Sequence, residues 1–170
     1  MIGALVWFRS QPDEITISFV GDIMLSRGVQ RYLEEFGYDY PYEDVRDLFL
    51  QDDLTVGNLE CPITDYENAA NKAKRFLFKA DAENASALKR AGFDCLNLAN
   101  NHTMDYTSPG LLDTMTHLEA NGLDYVGASE NAASKKPYIF EKNGIRVGLL
   151  AYSALPPEGY FFNADKPTVQ

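Results

Sequence analysis

The chain has 170 residues, of which 45% are hydrophobic and 24% charged, proportions typical of one globular domain with a buried core. Its formal net charge of −10 disfavours nucleic acid and anionic lipid as general partners, because such a charge repels polyanions. Two cysteines without a CxxC pair indicate neither a zinc knuckle nor a disulfide framework.

The chain begins with MIGALVWFRS, which contains a short apolar run. The run is too short for a transmembrane helix, which needs about 20 residues. It also lacks the basic start and the small-residue cleavage site of a signal peptide. We therefore expect residues 1–14 to be a leader or the trimmed remnant of an anchor, and the domain to begin at residue 15.

The first half of the chain alternates β-branched, period-two stretches with amphipathic ones, so strands and helices are expected in turn. The predicted elements are a strand at Ile15–Val20, a helix from a Ser26 cap to Gly37, a helix at Glu43–Leu50, and strands at Leu54–Val56 and Arg75–Lys79. The helical residues expected to face the core are Val29, Leu33, Phe36, Val45, Leu48 and Phe49.

The second half repeats this pattern and adds a hairpin. The predicted elements are a helix from an Asp81 cap to Gly92, a strand at Phe93–Leu98, a helix from Ser108-Pro109 to Gly122, and strands at Leu123–Val126, Tyr138–Glu141 and Ile145–Ala151. Asn143-Gly144 between the last two strands is a strong signal for a β-hairpin. Strand–helix repeats followed by a hairpin predict a layered α/β fold with a mixed sheet.

Polar side chains follow three of the predicted strands at the points where these strands end. They are Asp22, Asn58, Glu60, Asn100, Asn101 and His102. In open α/β sheets, groups at the carboxyl ends of different strands converge on one edge. Carboxylate, amide oxygen and imidazole together suit manganese, iron or zinc, so the pattern favours a metal site. The alternative is that these residues are ordinary turn formers.

Other polar residues nearby carry weaker signals. Asp65, Asp105 and Tyr106 are close to these positions in the sequence, and Asp105 is interpreted as a turn residue or a group behind the ligands. His117 lies off the buried stripe of its helix, four residues after Asp113, so we expect a surface pair and no catalytic role.

Several segments resemble the bacterial capsule synthesis proteins of the poly-gamma-glutamate, CapA-like type. They are GDIMLSRGV, VGNLECPIT, FKADAENASALKRAGFDCLNLANNHTMDYTSPGLLDT, LDYVGAS and NGIRVGLLAYS, and the likeness runs from Ile15 to about Tyr152. That family is similar to a branch of the calcineurin-like metallophosphatases. The resemblance therefore implies a layered, metallophosphatase-like α/β sandwich with a two-metal site. It also implies a location in the cell envelope, outside or at the membrane, in association with membrane-bound capsule synthesis machinery.

The resemblance also implies roles for matching residues. Asp22 would be a metal ligand from the first motif. Asn58 stands where the wider superfamily has a bridging aspartate, and Glu60 would supply the carboxylate there. Asn101 would bind metal, and His102 would protonate a leaving group as general acid.

The chain departs from the family pattern in three ways. Met24 stands where the superfamily has a histidine ligand, and Thr107 stands where the family has glycine. The later histidine motifs of the family are expected beyond Gln170. We therefore expect residues 15–170 to be the N-terminal portion of the full domain, with two divalent ions bound in the longer protein.

Three readings remain open. The first is a divalent-metal-dependent hydrolase that acts on a phosphoester or on an amide bond of an envelope polymer. The second is a non-enzymatic protein that binds or tethers an anionic polymer, for which a basic cluster is the candidate surface. This cluster comprises Lys72, Lys74, Arg75 and Lys79, followed by Lys89 and Arg90. The third is that the polar residues only hold loops together through hydrogen bonds.

Overall fold

The computed structural model describes residues 14–70, 75–155, 157 and 162–170. The predicted leader, apart from Glu14, lies outside the described residues, as do Lys72 and Lys74 of the basic cluster. The division of the chain at residue 15 stays a prediction. Within the described ranges, no helix is both long enough and apolar enough to cross a membrane.

The described residues form strands and helices in alternation, followed by short antiparallel strands. The strands are β1 Ile17–Ile23, β2 Leu54–Leu59, β3 Cys95–Asn97, β4 Asp124–Val126, β5 Ala128–Ser129, β6 Tyr138–Lys142, β7 Ile145–Leu149 and β8 Thr168–Val169. The α-helices are α1 Gly28–Phe36, α2 Arg46–Phe49, α3 Glu83–Ala91 and α4 Thr107–Ala120. Short 3₁₀ turns cover Tyr40–Tyr42 and Ala132–Ser134.

The main sheet is parallel and has the strand order β1-β2-β3-β4. The antiparallel strands form two small sheets of their own, β5 with β8 and β6 with β7. The turn between β6 and β7 has positive φ at Asn143 and Gly144, 53° and 76°, as a two-residue type I′ hairpin requires. The predicted α/β class and the hairpin are confirmed, and the antiparallel strands lie outside the main sheet.

Both faces of the parallel sheet are covered, as is usual for parallel strands. On β3, Leu96 joins the core formed with the helices, whereas Cys95 joins a smaller cluster under the β6–β7 hairpin. The main helical contributors to the core are Leu33, Ala85, Leu88, Ala91, Leu111, Met115 and Leu118. The layers are therefore helices, parallel sheet and hairpin, consistent with part of a metallophosphatase-like sandwich.

The predicted strand at Arg75–Lys79 is wrong. Residues 76–79 have no regular structure, and an isolated bridge joins Ile63 to Ala80 just after them. The backbone N–H of Phe78 donates to Asp105 Oδ2 at 2.9 Å, and that of Lys79 donates to Ser26 Oγ at 3.2 Å. These donors are satisfied by side chains, so no neighbouring strand is needed.

Three predicted helix caps differ from those in the structure. The Ser26 hydroxyl accepts from the backbone N–H of Lys79, and α1 begins at Gly28. Asp81 accepts a hydrogen bond from the hydroxyl of Tyr38 at 2.8 Å, and α3 begins at Glu83. Helix α4 begins at Thr107, before the predicted Ser108 cap. In the first two cases a distant partner competes successfully for the capping side chain.

The predicted buried faces are correct for α3 and α4 and only partly correct for the first two helices. Leu33 and Phe49 are buried, but Phe36 and Leu48 are 52% and 57% exposed. Both cysteines are buried, and burial raises the pKa of each thiol to about 12, so both are uncharged at neutral pH.

Candidate functional site

Three polar residues form a row across the carboxyl ends of neighbouring strands. Strand β1 continues to Ile23, past the predicted end at Val20. A register irregularity between Phe19 and Asp22 sets Asp22 opposite Asn58 on β2. Asn58 in turn lies opposite Asn97 on β3. Parallel strands bring these ends to one edge of the sheet, where sites form in open α/β folds.

Asn58 is the centre of this row. Its Nδ2 donates to Asp22 Oδ1 at 2.8 Å and to Glu60 Oε2 at 2.7 Å. Its Oδ1 accepts from Asn97 Nδ2 at 2.8 Å and from Asn100 Nδ2 at 3.1 Å. One amide therefore joins two carboxylates on one side to two further amides on the other.

The orientation of the Asn58 amide follows from backbone groups in the loop after β3. Asn97 Oδ1 accepts from the N–H of Ala99 at 2.8 Å, and Asn100 Oδ1 accepts from the N–H of His102 at 3.0 Å. A backbone N–H can only donate, so both oxygens are fixed and both Nδ2 groups face Asn58. Asn58 must therefore turn its oxygen towards them and its N–H groups towards the carboxylates.

His102 is buried in the same loop and is held by Asp105. Its Nδ1 lies 2.8 Å from Asp105 Oδ2, and this carboxylate also accepts from the N–H of Phe78 at 2.9 Å. The Phe78 ring packs on the imidazole with a centroid distance of 4.1 Å. An Nδ1–H that donates to Asp105 leaves Nε2 as the nitrogen that faces the site.

Glu60 lies opposite His102. Its Oε1 is 4.0 Å from His102 Nε2, too long for a direct hydrogen bond and short enough for one water molecule to contact both atoms. Burial raises the pKa of the Glu60 carboxyl, and the nearby Asp22 charge acts in the same direction, while the hydrogen bond from Asn58 opposes them. Glu60 is therefore a stronger base than an exposed glutamate.

A cavity of about 330 Å³ opens at the same edge of the sheet. Asn58 and Asn97 contribute its polar wall. Its apolar lining includes Phe19, Val56, Val126, Leu149 and Tyr152. The polar row thus borders a space that can accept part of a ligand.

The structure thus joins Asp22, Asn58, Glu60 and His102 in one network. Asp22 is exposed, whereas His102 is buried. Asn101 precedes His102 in the loop and is half-buried. The ligand roles implied for these residues stay predictions.

The described residues do not by themselves complete the two-metal centre that the resemblance implies for the longer protein. Within residues 14–70 and 75–155, no three His, Cys, Asp or Glu side chains are placed to hold one metal ion. Asn58 presents N–H groups where a ligand oxygen is needed, because its oxygen is taken by Asn97 and Asn100. For acid–base chemistry, the described residues offer Glu60 and the His102–Asp105 pair.

His117, Asp65 and Tyr106 make their contacts elsewhere. His117 Nε2 is 3.4 Å from Asp113 Oδ1, so the predicted surface pair is confirmed. The backbone N–H of Asp65 also donates to Asp113, at 3.2 Å, and the Tyr106 ring lies under the Lys79 ammonium.

The predicted basic cluster is divided in the structure. Lys89 pairs with Asp94 at 3.6 Å, and Arg90 pairs with Asp39 at 2.9 Å. These two residues therefore lie in mixed-charge surroundings. Arg75 is exposed next to Phe76.

Three contributors to the site were missed in the sequence. The sequence pattern places Asn97 and Phe78 in strands and Asp105 in a turn or behind the ligands, and it does not identify their contacts with Asn58 and His102. The His-x-x-Asp spacing was the available signal for Asp105. Nothing local marks the contact of Phe78 with His102 or that of Asn97 with Asn58, because these partners are distant in sequence.

Comparisons with known proteins support one family. The family model described as bacterial capsule synthesis protein PGA_cap matches residues 16–168. The chain is 35% identical over 158 residues to the capsule biosynthesis protein CapA of Bacillus anthracis, covering 91% of this chain and 38% of that protein. It is 33% identical over 159 residues to the PGA biosynthesis protein CapA of Bacillus subtilis, covering 92% and 42%. A probable polyglutamine synthesis accessory protein of Mycobacterium tuberculosis is 26% identical over 200 residues, covering 93% and 51%.

Proposed function

Because the chain belongs to the bacterial capsule synthesis protein family PGA_cap, we propose that it is part of a capsule biosynthesis protein that hydrolyses bonds in an anionic envelope polymer. The chain spans about two fifths of the length of the two CapA relatives, so activity, substrate and partners all belong to the proposal. One observation carries it: a buried histidine, held by Asp105, faces Glu60 across 4.0 Å.

Asp105 prepares His102 for acid–base chemistry. The carboxylate accepts from Nδ1–H, which fixes the ring orientation and leaves Nε2 free to gain or lose a proton. It also keeps the imidazole in place, as a buried carboxylate does for histidine in hydrolase triads. His102 is thus suited to donate a proton from Nε2.

Glu60 supplies the complementary base. A water molecule between Oε1 of Glu60 and Nε2 of His102 loses a proton to Glu60 as its oxygen attacks the carbonyl carbon of an amide bond. As the C–N bond breaks, protonated His102 donates the Nε2 proton to the leaving nitrogen. The products are a carboxylic acid and an amine, and proton exchange with solvent restores Glu60 and His102.

The substrate follows from the family and from the chemistry. The relatives' names refer to capsule, PGA and polyglutamine synthesis, so an amide-linked polymer of glutamate is the first substrate to test. A phosphoester is the second, because the same acid–base pair can protonate a leaving oxygen. We propose a location in the cell envelope, next to membrane-bound capsule synthesis machinery.

A second candidate function is polymer binding or tethering without cleavage. Arg27 and Arg75 favour it, because both guanidinium groups are exposed beside the ring of Phe76. This candidate keeps the same polymer and removes the chemical step. Turnover by the wild-type protein therefore separates the two candidates.

The experiment uses the full-length protein with poly-gamma-glutamate and measures new amino groups and polymer length. His102→Gln should lower the rate by roughly 100-fold to 10,000-fold, the usual contribution of a general acid or base. His117→Gln is the matched control, because this residue pairs with Asp113 on the surface. Wild-type turnover by His102→Gln would reject the assignment, and polymer binding without any turnover would favour the second candidate.

Metal dependence is tested in the same assay. Chelation, followed by addition of manganese, iron or zinc, examines the divalent ions that the resemblance implied. Turnover that survives chelation agrees with a step carried by Glu60 and His102. Turnover that strictly requires a metal ion would reject the metal-free step, in which Glu60 and His102 alone activate the water.

A further inference from the structure

Two arginines from distant parts of the chain share one aromatic ring. The guanidinium carbon of Arg27 lies 5.3 Å from the centroid of the Phe76 ring, and that of Arg75 lies 5.0 Å from it. Both arginines are exposed, and Phe76 is 43% exposed. Cation–π contact with the ring restricts both side chains while leaving their N–H groups in solvent.

The backbone at Arg27 is unusual for a residue with a side chain. The N–H of Val29 donates to Ser26 O at 3.2 Å, closing a four-residue turn. Arg27, second in this turn, has φ 58° and ψ −118°, the type II′ geometry that glycine normally occupies. Strained positions of this kind persist mainly where the side chain has a function.

The charge around the pair is also informative. The protein has a net charge of −10, and several of its basic side chains have acidic partners. These pairs are Lys79–Glu67, Lys89–Asp94, Arg90–Asp39, Lys142–Asp53 and Arg146–Glu141. Neither Arg27 nor Arg75 has an acidic partner among the described residues. Two positive charges on one ring repel each other, and a bound anion relieves this repulsion.

The arginine pair lies beside the candidate site. The ring of Phe78 packs on His102, and Phe76 lies two residues before Phe78. The Cα atoms of Phe76 and Phe78 are therefore at most about 7 Å apart. On the other side, Ser26 next to Arg27 accepts from the N–H of Lys79 at 3.2 Å. Residues 75–79 therefore carry Arg75 and Phe76 at one end and contact the imidazole through Phe78 near the other.

We propose that Arg27 and Arg75, positioned on Phe76, form a subsite that binds carboxylate groups of an acidic polymer and directs the polymer towards His102. This inference rests on the proposed function for the identity of the polymer. Guanidinium groups bind carboxylates through paired N–H donors, and every unit of poly-gamma-glutamate carries one free carboxylate. The exposed part of the Phe76 ring is available to the aliphatic part of the chain.

Binding of poly-gamma-glutamate of defined length to the full-length protein tests the subsite, by calorimetry at two salt concentrations. Arg27→Gly and Arg75→Ala should each weaken binding roughly tenfold and reduce its salt dependence. Arg46→Ala, which removes an exposed arginine from α2, should leave affinity unchanged. Arg27→Gly should also raise the melting temperature by roughly 2–4 °C, because glycine suits the turn. Unchanged affinity in the double variant would overturn the subsite.

Kinetics separate this inference from the proposed function. If both hold, the arginine variants raise KM and keep kcat, whereas His102→Gln lowers kcat. Lost binding in the arginine variants of a protein that shows no turnover would support the subsite and reject the hydrolase. Turnover that needs His102 but has the same KM in the arginine variants would support the hydrolase and reject the subsite.

Discussion

Nδ1 of His102 lies 2.8 Å from Oδ2 of Asp105, and Asp105 is only 1% exposed. The same Asp105 oxygen accepts from the backbone N–H of Phe78, whose ring covers the imidazole. This carboxylate therefore links the histidine loop to residues 76–79. It decides which imidazole nitrogen faces the site.

Asp105→Asn tests this link. The amide keeps the shape but can no longer accept from both Phe78 and His102 with a full charge, so one hydrogen bond weakens or reverses. We expect a loss of about 1–3 kcal/mol in the free energy of unfolding and, if the proposed function holds, at least about a 100-fold loss in kcat. Nitrogen NMR of the imidazole should show a shift from the Nδ1–H tautomer, with His117 as internal reference. An unchanged tautomer and rate would contradict the role of Asp105.

Asn58→Asp tests the amide that joins the two carboxylates. The new carboxylate keeps acceptors for Asn97 and Asn100, but it places a third negative charge beside Asp22 and Glu60. Without metal, we expect a lower melting temperature and a free energy of unfolding reduced by about 1–3 kcal/mol. Manganese at about 100 times its Kd should then stabilise the variant by about 2.7 kcal/mol.

The matched control for this experiment is the wild-type protein with the same manganese concentrations. Its melting temperature should not rise, because Asn58 donates to both carboxylates and presents no oxygen to a metal ion between them. Equal stabilisation of wild type and variant would show that Asn58 turns its oxygen to the metal, contrary to the orientation set by Ala99 and His102.

The pH dependence of stability should reveal Glu60. Burial raises its folded-state pKa above the ordinary value of 4.5, so the folded protein binds this proton more tightly than the unfolded chain. Its stabilising effect is fully present below pH 4.5 and is lost as pH rises through the folded-state value. Glu60→Gln should therefore gain stability relative to wild type as pH rises through this window.

Thermal unfolding of both proteins at a series of pH values measures this difference. Asp22, His102 and Asp105 face the same region and are present in both proteins, so their contributions largely cancel. Glu35→Gln, an exposed residue of α1, is the control and should show a flat difference. If the stability difference between Glu60→Gln and wild type also stays constant with pH, burial does not raise the pKa of the Glu60 carboxyl.

Thr107→Gly tests backbone strain next to the site. Thr107 has φ 63°, a left-handed conformation that β-branched residues rarely adopt. Glycine adopts a positive φ without this steric cost. We expect the variant to be more stable by about 0.5–1 kcal/mol in chemical unfolding, since relief of strain exceeds the added chain entropy.

Thr116→Gly provides the comparison, because Thr116 is an exposed threonine in the interior of α4. Glycine there should cost a few tenths of a kcal/mol, because threonine is itself a weak helix former. A loss of stability at position 107 similar to that at 116 would show that the positive φ carries no strain.

Several features could be predicted from the sequence because they depend on local pattern. Hydrophobic periodicity predicted the α/β alternation and the buried faces of α3 and α4, and Asn143-Gly144 predicted the hairpin turn. Polar groups after strands indicated the edge of the sheet where the network forms. The family likeness, read from the motifs, is confirmed by the match over residues 16–168.

Other features depended on partners far away in the chain. Residues 76–79 do not form a strand, because their N–H groups donate to Ser26 and Asp105. Ser26 and Asp81 do not cap helices, because they have tertiary partners. Asn58 donates to two carboxylates because Asn97 and Asn100, 39 and 42 residues away in the sequence, contact its oxygen. Periodicity reports which face of an element is buried, whereas each polar group binds the partner that folding brings within hydrogen-bond distance, and only the tertiary structure contains that information.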